Sequence, residues 1–236
     1  MTGSEILLAG FVALGLAALA AIAVRERRTA FRQRRGLLDA AAGEVAGSAI
    51  RPGPDGFPTL SGRLPDGRAI DLELVVDTLQ FRRLPQLWLK VTIRETEPRP
   101  WPRIGALARP TGTEFYAVTP SFPARVLPPA GVAEGLLIRG DGTAGPDGIG
   151  RNCRAFTALF QDGGLKEAAI MPRGVRIVRQ VAEGDRGAHL LLRQARFAPP
   201  AVAPDLLRRA IADAALLRDA QVGCGVSYAH SGRESA

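Results

Sequence analysis

The sequence predicts an α+β protein: an N-terminal transmembrane helix and stalk, then one mostly antiparallel-sheet domain closed by a C-terminal packing helix. Three observations predict it. Residues 6–24 carry no charge, residues 70–74 and 87–93 alternate apolar with polar, and apolar residues recur at helical spacing after Pro204.

After a short N-terminus, residues 1–5, the nineteen residues 6–24 form the first element. At about 1.5 Å per residue such a helix is roughly 28 Å long, near the bilayer's hydrocarbon thickness of about 30 Å. A helix satisfies its own backbone there. Ala-Leu-Ala at 18–20 and Ala-Ile-Ala at 21–23 have the small-x-small form of a signal cleavage site, but the opening "MTGSE" lacks a basic residue. The expectation is therefore a retained single span.

Charge sets its direction. The chain is +8 overall, from 31 basic and 23 acidic residues, and six arginines against Glu26 give residues 25–35 a net +5. Arg25, Arg27, Arg28, Arg32, Arg34 and Arg35 are read as topology determinants and contacts to anionic lipid, each cation gaining about 1 kcal/mol. The expected location is a bacterial inner membrane, with the N-terminus outside and the main domain cytoplasmic. Only Lys90 and Lys166 are lysines, against 29 arginines, which genomic base composition explains without a functional demand.

Residues 25–50 read as a basic juxtamembrane helix or stalk, and the proline- and glycine-rich residues 51–58 as a linker. The domain is expected over residues 59–222. Two strands flank the turn Pro65-Asp66-Gly67, with Ile70, Leu72 and Leu74 inward and Asp71 and Glu73 outward. Leu87, Leu89, Val91 and Ile93 repeat the pattern, so an antiparallel meander is expected. "EPRPWPR" reads as a surface crossing, "GTEFYAVT" (112–119) as a short strand, and Asn152 as the cap of a short helix. A hairpin turns at Pro172-Arg173-Gly174, and "AHLLLRQARFA" is either a strand or a helix fragment. The closing helix has Pro204 in its first turn and a stripe of Leu207, Ala210, Ile211, Ala214 and Leu217. Residues 223–236 read as a flexible tail.

Chemistry-bearing groups are sparse. Gly140-x-Gly142-x-x-Gly145 has dinucleotide spacing, but Pro146, Gly148 and Gly150 favour a prolonged loop over the immediate helix that pyrophosphate needs. His189 and His230 belong to no zinc spacing, and Asp141 and Asp147 miss the calcium-loop spacing. Cys153 with His189 could serve as nucleophile and base only if folding joined them. Asp71, Glu73 and Asp77 share a strand face, where solvent exposure accounts for them. Two cysteines, Cys153 and Cys224, make no disulfide framework and are reduced in a cytoplasmic body; an inverted topology would permit one bridge. No metal and no cofactor is expected, nor is enzyme activity. In the first helix, Ala9, Ala13, Ala17 and Ala21 share one face and would let another helix approach closely.

The layout of the basic-flanked apolar segment, "TGTEFYAV" (111–118), "KEAAIMPRGVRIVR" and "APDLLRRAIADAALLRDA" resembles uncharacterised bacterial single-pass membrane proteins with a cytoplasmic α+β domain. Gly112, Glu114 and Phe115 match a glycine, acid and phenylalanine group of such proteins; the second phenylalanine usual soon after is replaced by Ala117 and Val118. The resemblance implies architecture and no activity.

The function expected is that of a membrane-anchored, non-catalytic interaction or assembly protein. Its partners would be the lipid bilayer and either its own copies or a larger membrane complex joined through the first helix. One alternative is a membrane-tethered enzyme or small-ligand module, with a pocket containing some of Asp71, Glu73, Asp77, Cys153 or His189. The other, disfavoured, is a nucleic-acid binder using residues 25–35, since no basic stripe alternates with aromatics.

Overall fold

The computed structural model describes residues 3–53, 55–79, 84–127, 135–192, 195–198 and 202–230, without the side chains of residues 5–9, 27, 30, 190–192 and 222–230. The chain begins with α1 (Gly3–Arg35), a 3-10 turn (Gly36–Leu38) and α2 (Asp39–Ala42). Strands β1 (Ala46–Pro52), β2 (Pro58–Arg63), β3 (Ala69–Asp77), β4 (Gln86–Arg94) and β5 (Ile104–Ala108) follow. After a second 3-10 turn (Thr119–Ser121) come β6 (Ala124–Arg125), β7 (Leu136–Gly140), α3 (Pro146–Leu159), β8 (Leu165–Met171) and β9 (Gly174–Glu183). Helices α4 (Arg186–Leu192) and α5 (Pro204–His230) complete it.

All described strands join one sheet in the order β1-β2-β3-β4-β9-β8-β5-β7-β6, with every neighbouring pair antiparallel. The alternation in β3 and β4 is what fixes their register. Ile70 faces Ile93, Leu72 faces Val91 and Leu74 faces Leu89, so one slipped residue would turn the whole apolar set outward. Helices cover that apolar face: Leu207, Ala210, Ala214 and Leu217 of α5 are fully buried with Cys153 and Phe156 of α3. Arg179 of β9 bridges Asp162 (2.6 Å) and Asp213 of α5 (2.5 Å), locking the helix layer to the sheet. Thus the α+β class, the large antiparallel sheet and the C-terminal helix stand as the sequence predicts.

The anchor does not. Among the described residues, no helix is long and apolar enough to cross a membrane. The expected single-pass architecture is therefore overturned. With it go the bilayer as partner, assembly through a spanning helix, the inner-membrane location with its sidedness, and the membrane-anchored function.

Other elements differ for local reasons. Helix ends at Ala42, and residues 46–52 form edge strand β1 against β2 instead of continuing a stalk. Leu37, Leu38, Ala41 and Val45 all enter the main core. "GTEFYAVT" is irregular, while the strand lies just before it as β5, every residue of which is buried. Asn152 sits within α3 rather than capping it, and accepts a hydrogen bond from buried Gln221 of α5 (2.6 Å). Residues 186–192 resolve as helix α4, and the helical backbone of α5 continues through residues 223–230.

Candidate functional site

The second face of the sheet begins with residues that alternate away from the helices: Asp71, Glu73, Val75 and Asp77 on β3, and Trp88, Lys90 and Thr92 on β4. Toward β1 this face is wet and self-neutralised. Asp71 pairs with Arg94 (2.7 Å) and Glu73 with Lys90 (2.7 Å). Toward β5 it is covered by residues 109–123, a strap that crosses β8 and β5.

Strand β8 explains why a strap lies there. It is buried along nearly its whole length, yet contains Lys166 and Glu167 side by side, and its pairing with β9 is irregular at this point. Neither charge has access to water, so each must find partners in the strap. Lys166 Nζ donates to the carbonyls of Ala108 (2.9 Å) and Arg109 (2.8 Å) and to Glu114 Oε1 (2.9 Å), using all three of its protons. Glu114 also accepts from the Thr111 amide (2.7 Å), the Thr111 hydroxyl (2.8 Å) and the Gly112 amide (2.9 Å). Burial pushes this carboxyl up, but the Lys166 and Thr111 hydrogen bonds outweigh it and hold the group at about 2.

Glu167 grips the other half of the strap. Its Oε1 accepts the amides of Val118 and Thr119, both at 2.7 Å. Burial is the dominant influence and raises its pKa, against the lowering effect of Thr119 and Val118 and of Arg176 nearby. The Thr119 hydroxyl lies beside this carboxyl without making a hydrogen bond of ordinary geometry. Gly105 of β5 makes the seat. A Cβ there would collide with the Thr119 hydroxyl and crowd Ala169 and Phe122 at 3.3 Å. Arg139 ties down the far end through the carbonyls of Phe122 (2.6 Å) and Pro123 (3.0 Å).

The root of the strap is strained. Arg109 has φ 46°, the one non-glycine residue at positive φ among those described. Lys166 holds the carbonyls on both sides of that φ, and the Arg109 guanidinium donates to Gly163 (2.9 Å).

Beneath the strap, Tyr116 stacks on Trp88 with ring centroids 5.4 Å apart, and Phe115 meets the edge of Tyr116 at 5.4 Å. Burial, then the charges of Asp77, Glu114 and Glu167, push the Tyr116 hydroxyl far above its ordinary value. Four more buried polar atoms on this side of the sheet lack a hydrogen-bond partner: Asp77 Oδ2, Trp88 Nε1, Tyr116 OH and Glu167 Oε2. Native interiors leave few such atoms, each costing about 1–3 kcal/mol. Above the layer an open groove of about 360 Å³ is lined by Leu79, Gly112, Thr113, Glu114, Phe115 and Pro120. Its rims, Leu79 and Phe115, are exposed at 59% and 61%.

The residues singled out from sequence fall mostly elsewhere. Ala13, Ala17 and Ala21 lie exposed on α1, and the Ala9 side chain is outside the described ones. Arg25, Arg28, Arg32 and Arg35 are exposed, and the Arg27 side chain is not described. Arg34 instead docks α1, donating to the Asp55 carbonyl (2.7 Å) and covering the Phe57 ring at 4.6 Å. Cys153 is buried in the helix-side core, where burial raises its thiol pKa, so it is a poor nucleophile. His189 lies in α4; the side chains of Cys224 and His230 are outside the described residues. After Gly145 a helix does begin at once, at Pro146, contrary to the expected long loop. Asp141, however, is occupied by the amides of Arg103 and Thr143 at 3.0 Å each. Asp77 alone of the three β3 carboxylates belongs to the strap site, buried to 2% exposure instead of solvated.

Among the described residues, no group of three or more His, Cys, Asp or Glu side chains is placed to hold a metal ion. No family model, curated protein or solved structure matches this chain, so nothing sustains the resemblance to single-pass membrane proteins.

Proposed function

We propose that this protein is a small-ligand-binding module, with the strap 109–123 as the lid of its site and no chemistry performed on the ligand. One observation carries the reading. Four polar atoms, on Tyr116 of the strap and on Asp77, Trp88 and Glu167 of the sheet face it crosses, are buried without partners, and the root of the strap is strained at Arg109. Unmade hydrogen bonds and a strained backbone both cost free energy in the closed, empty state, and both concentrate at ligand sites. The binding role is favoured over catalysis because the charged groups of the site are engaged in holding the strap, Glu114 and Lys166 completely and Glu167 at Oε1.

Trp88 offers the test. The chain has two tryptophans, and Trp101→Phe leaves Trp88 as the sole reporter beneath Tyr116. Screening this variant against a library of small polar metabolites should identify compounds that shift Trp88 emission saturably and raise the melting temperature. A library that leaves Trp88 emission unmoved throughout would remove the reading.

A further inference from the structure

Lys166 and Glu167 are neighbours on β8, yet the strap answers them unequally. Around Glu114 the charges balance: Lys166 meets it at 2.9 Å, and Thr111 and Gly112 supply three further donors. Glu167 has no such compensation. The residue is 0% exposed and forms no ion pair among the described residues; its Oε1 accepts the amides of Val118 and Thr119, while Oε2 has no partner. The cation that acts on it, Arg176 of β9, is hydrogen-bonded to Thr92 (3.4 Å). A carboxyl so placed is costly to ionise while the strap is closed, and that cost vanishes once the strap lifts and water enters.

The surrounding charged groups are otherwise engaged. Glu114, on the strap, is held at about 2 and stays ionised above pH 4.5. The Tyr116 hydroxyl is pushed far upward and stays neutral. Lys166 gives all three protons to the strap root, and the Arg109 guanidinium donates to Gly163. Arg139 of β7 holds the carbonyls of Phe122 and Pro123. On β9, Arg179 pairs with Asp162 and Asp213. Farther along the face, Lys90 of β4 pairs with Glu73, and Asp77 lies on β3, three strands from β8. The strap is thus fastened at its two ends by cations. Between those ends, among the described residues, only Glu167 hydrogen-bonds it to the sheet.

We propose that Glu167 is a proton-operated latch on the strap. Protonated, it holds Val118 and Thr119 down and leaves Tyr116 stacked on Trp88. Ionised, it releases residues 115–121, which lift from Trp88 while Lys166 and Arg139 keep the ends in place; the proton passes to solvent. The closed strap binds this proton more tightly than the open one. Closure is therefore fully favoured below about pH 4.5, the ordinary carboxyl value, and weakens as pH rises through the closed-state value. The latch needs no ligand beneath the strap and so stands apart from the binding reading above.

Hydrogen exchange on the full chain tests this. From about pH 4.5 upward, protection of the Val118 and Thr119 amides, corrected for the intrinsic pH dependence of exchange, should fall by up to about tenfold per pH unit and then level. Both amides should exchange faster than Val91 of β4 and ignore about 1 M urea, because the opening is local. Glu167→Gln keeps the accepting oxygen and should hold their protection constant over the same range. Protection in the parent that does not change with pH overturns the proposal without any substitution. So does exchange at Val118 and Thr119 that rises with urea in step with Val91, since the strap then opens only with the whole fold. A fall that Asp77→Asn abolishes and Glu167→Gln preserves assigns the proton elsewhere and overturns it too.

Discussion

Lys166 and Glu114 form an ion pair whose side chains are 4% and 1% exposed, so removing one partner strands the other. Glu114→Gln or Lys166→Met should each cost about 3–5 kcal/mol by urea denaturation, and the double variant should recover part of the loss. The two carboxylates also respond oppositely to acid. Glu114 is held at about 2 against an ordinary 4.5, so its contribution is complete above about pH 4.5 and is lost as pH falls toward 2. Glu167 is shifted upward, so its folded form prefers a proton, and ionisation above the ordinary value opposes folding. Glu167→Gln keeps the oxygen that accepts Val118 and Thr119. Its stability relative to the parent should therefore improve as pH rises above about 4.5 in parallel melts.

At the scale of elements, the strap depends on a missing side chain beneath it. Gly105→Ala should cost about 1–3 kcal/mol through overpacking. It should also accelerate amide exchange at Val118 and Thr119 more than at Val91 in β4; equal acceleration at all three would dissociate Gly105 from the strap. This level also shows what could be read in advance. The β2–β3 and β8–β9 hairpins were legible because a short turn specifies each locally, and the β3–β4 pairing because both strands alternate. The α5 stripe was legible because helical spacing has a single reading there. Strand β5 was not, since Ile104-Gly105-Ala106-Leu107-Ala108 is buried on both faces and has no alternation to see. Nor was the site. Trp88, Tyr116 and Glu167 converge only through the sheet order, although "LKEAAIM" did contain a clue: two adjacent charges in an otherwise apolar strand.

For the whole molecule, α1 is peripheral to the folded body except at its last turns. Phe31 lies where Gly56 has no Cβ, and Arg34 covers Phe57, while Phe11, Leu14, Leu16 and Leu19 are each more than 60% exposed. Deleting residues 1–24 should leave the melting temperature within about 2 °C of the parent, as expected for surface that packs on nothing. Light scattering should show less self-association, because a contiguous exposed apolar patch has gone. A large loss of stability on deletion would mean that the helix packs on the body after all. A net charge of +8, by contrast, speaks to solubility and to nonspecific attraction rather than to fold.

The central seam of the sheet joins β4, ending at Arg94, to β9, beginning at Gly174. On a ribosome adding about 5–20 residues per second, the first meander is complete some 4–16 seconds before its neighbour emerges. Throughout that interval β4 offers a bare, hydrogen-bond-hungry border to every other nascent chain nearby. Productive biosynthesis should thus be governed by how well chaperones screen that border, and chains arrested before residue 174 should be the principal source of aggregates.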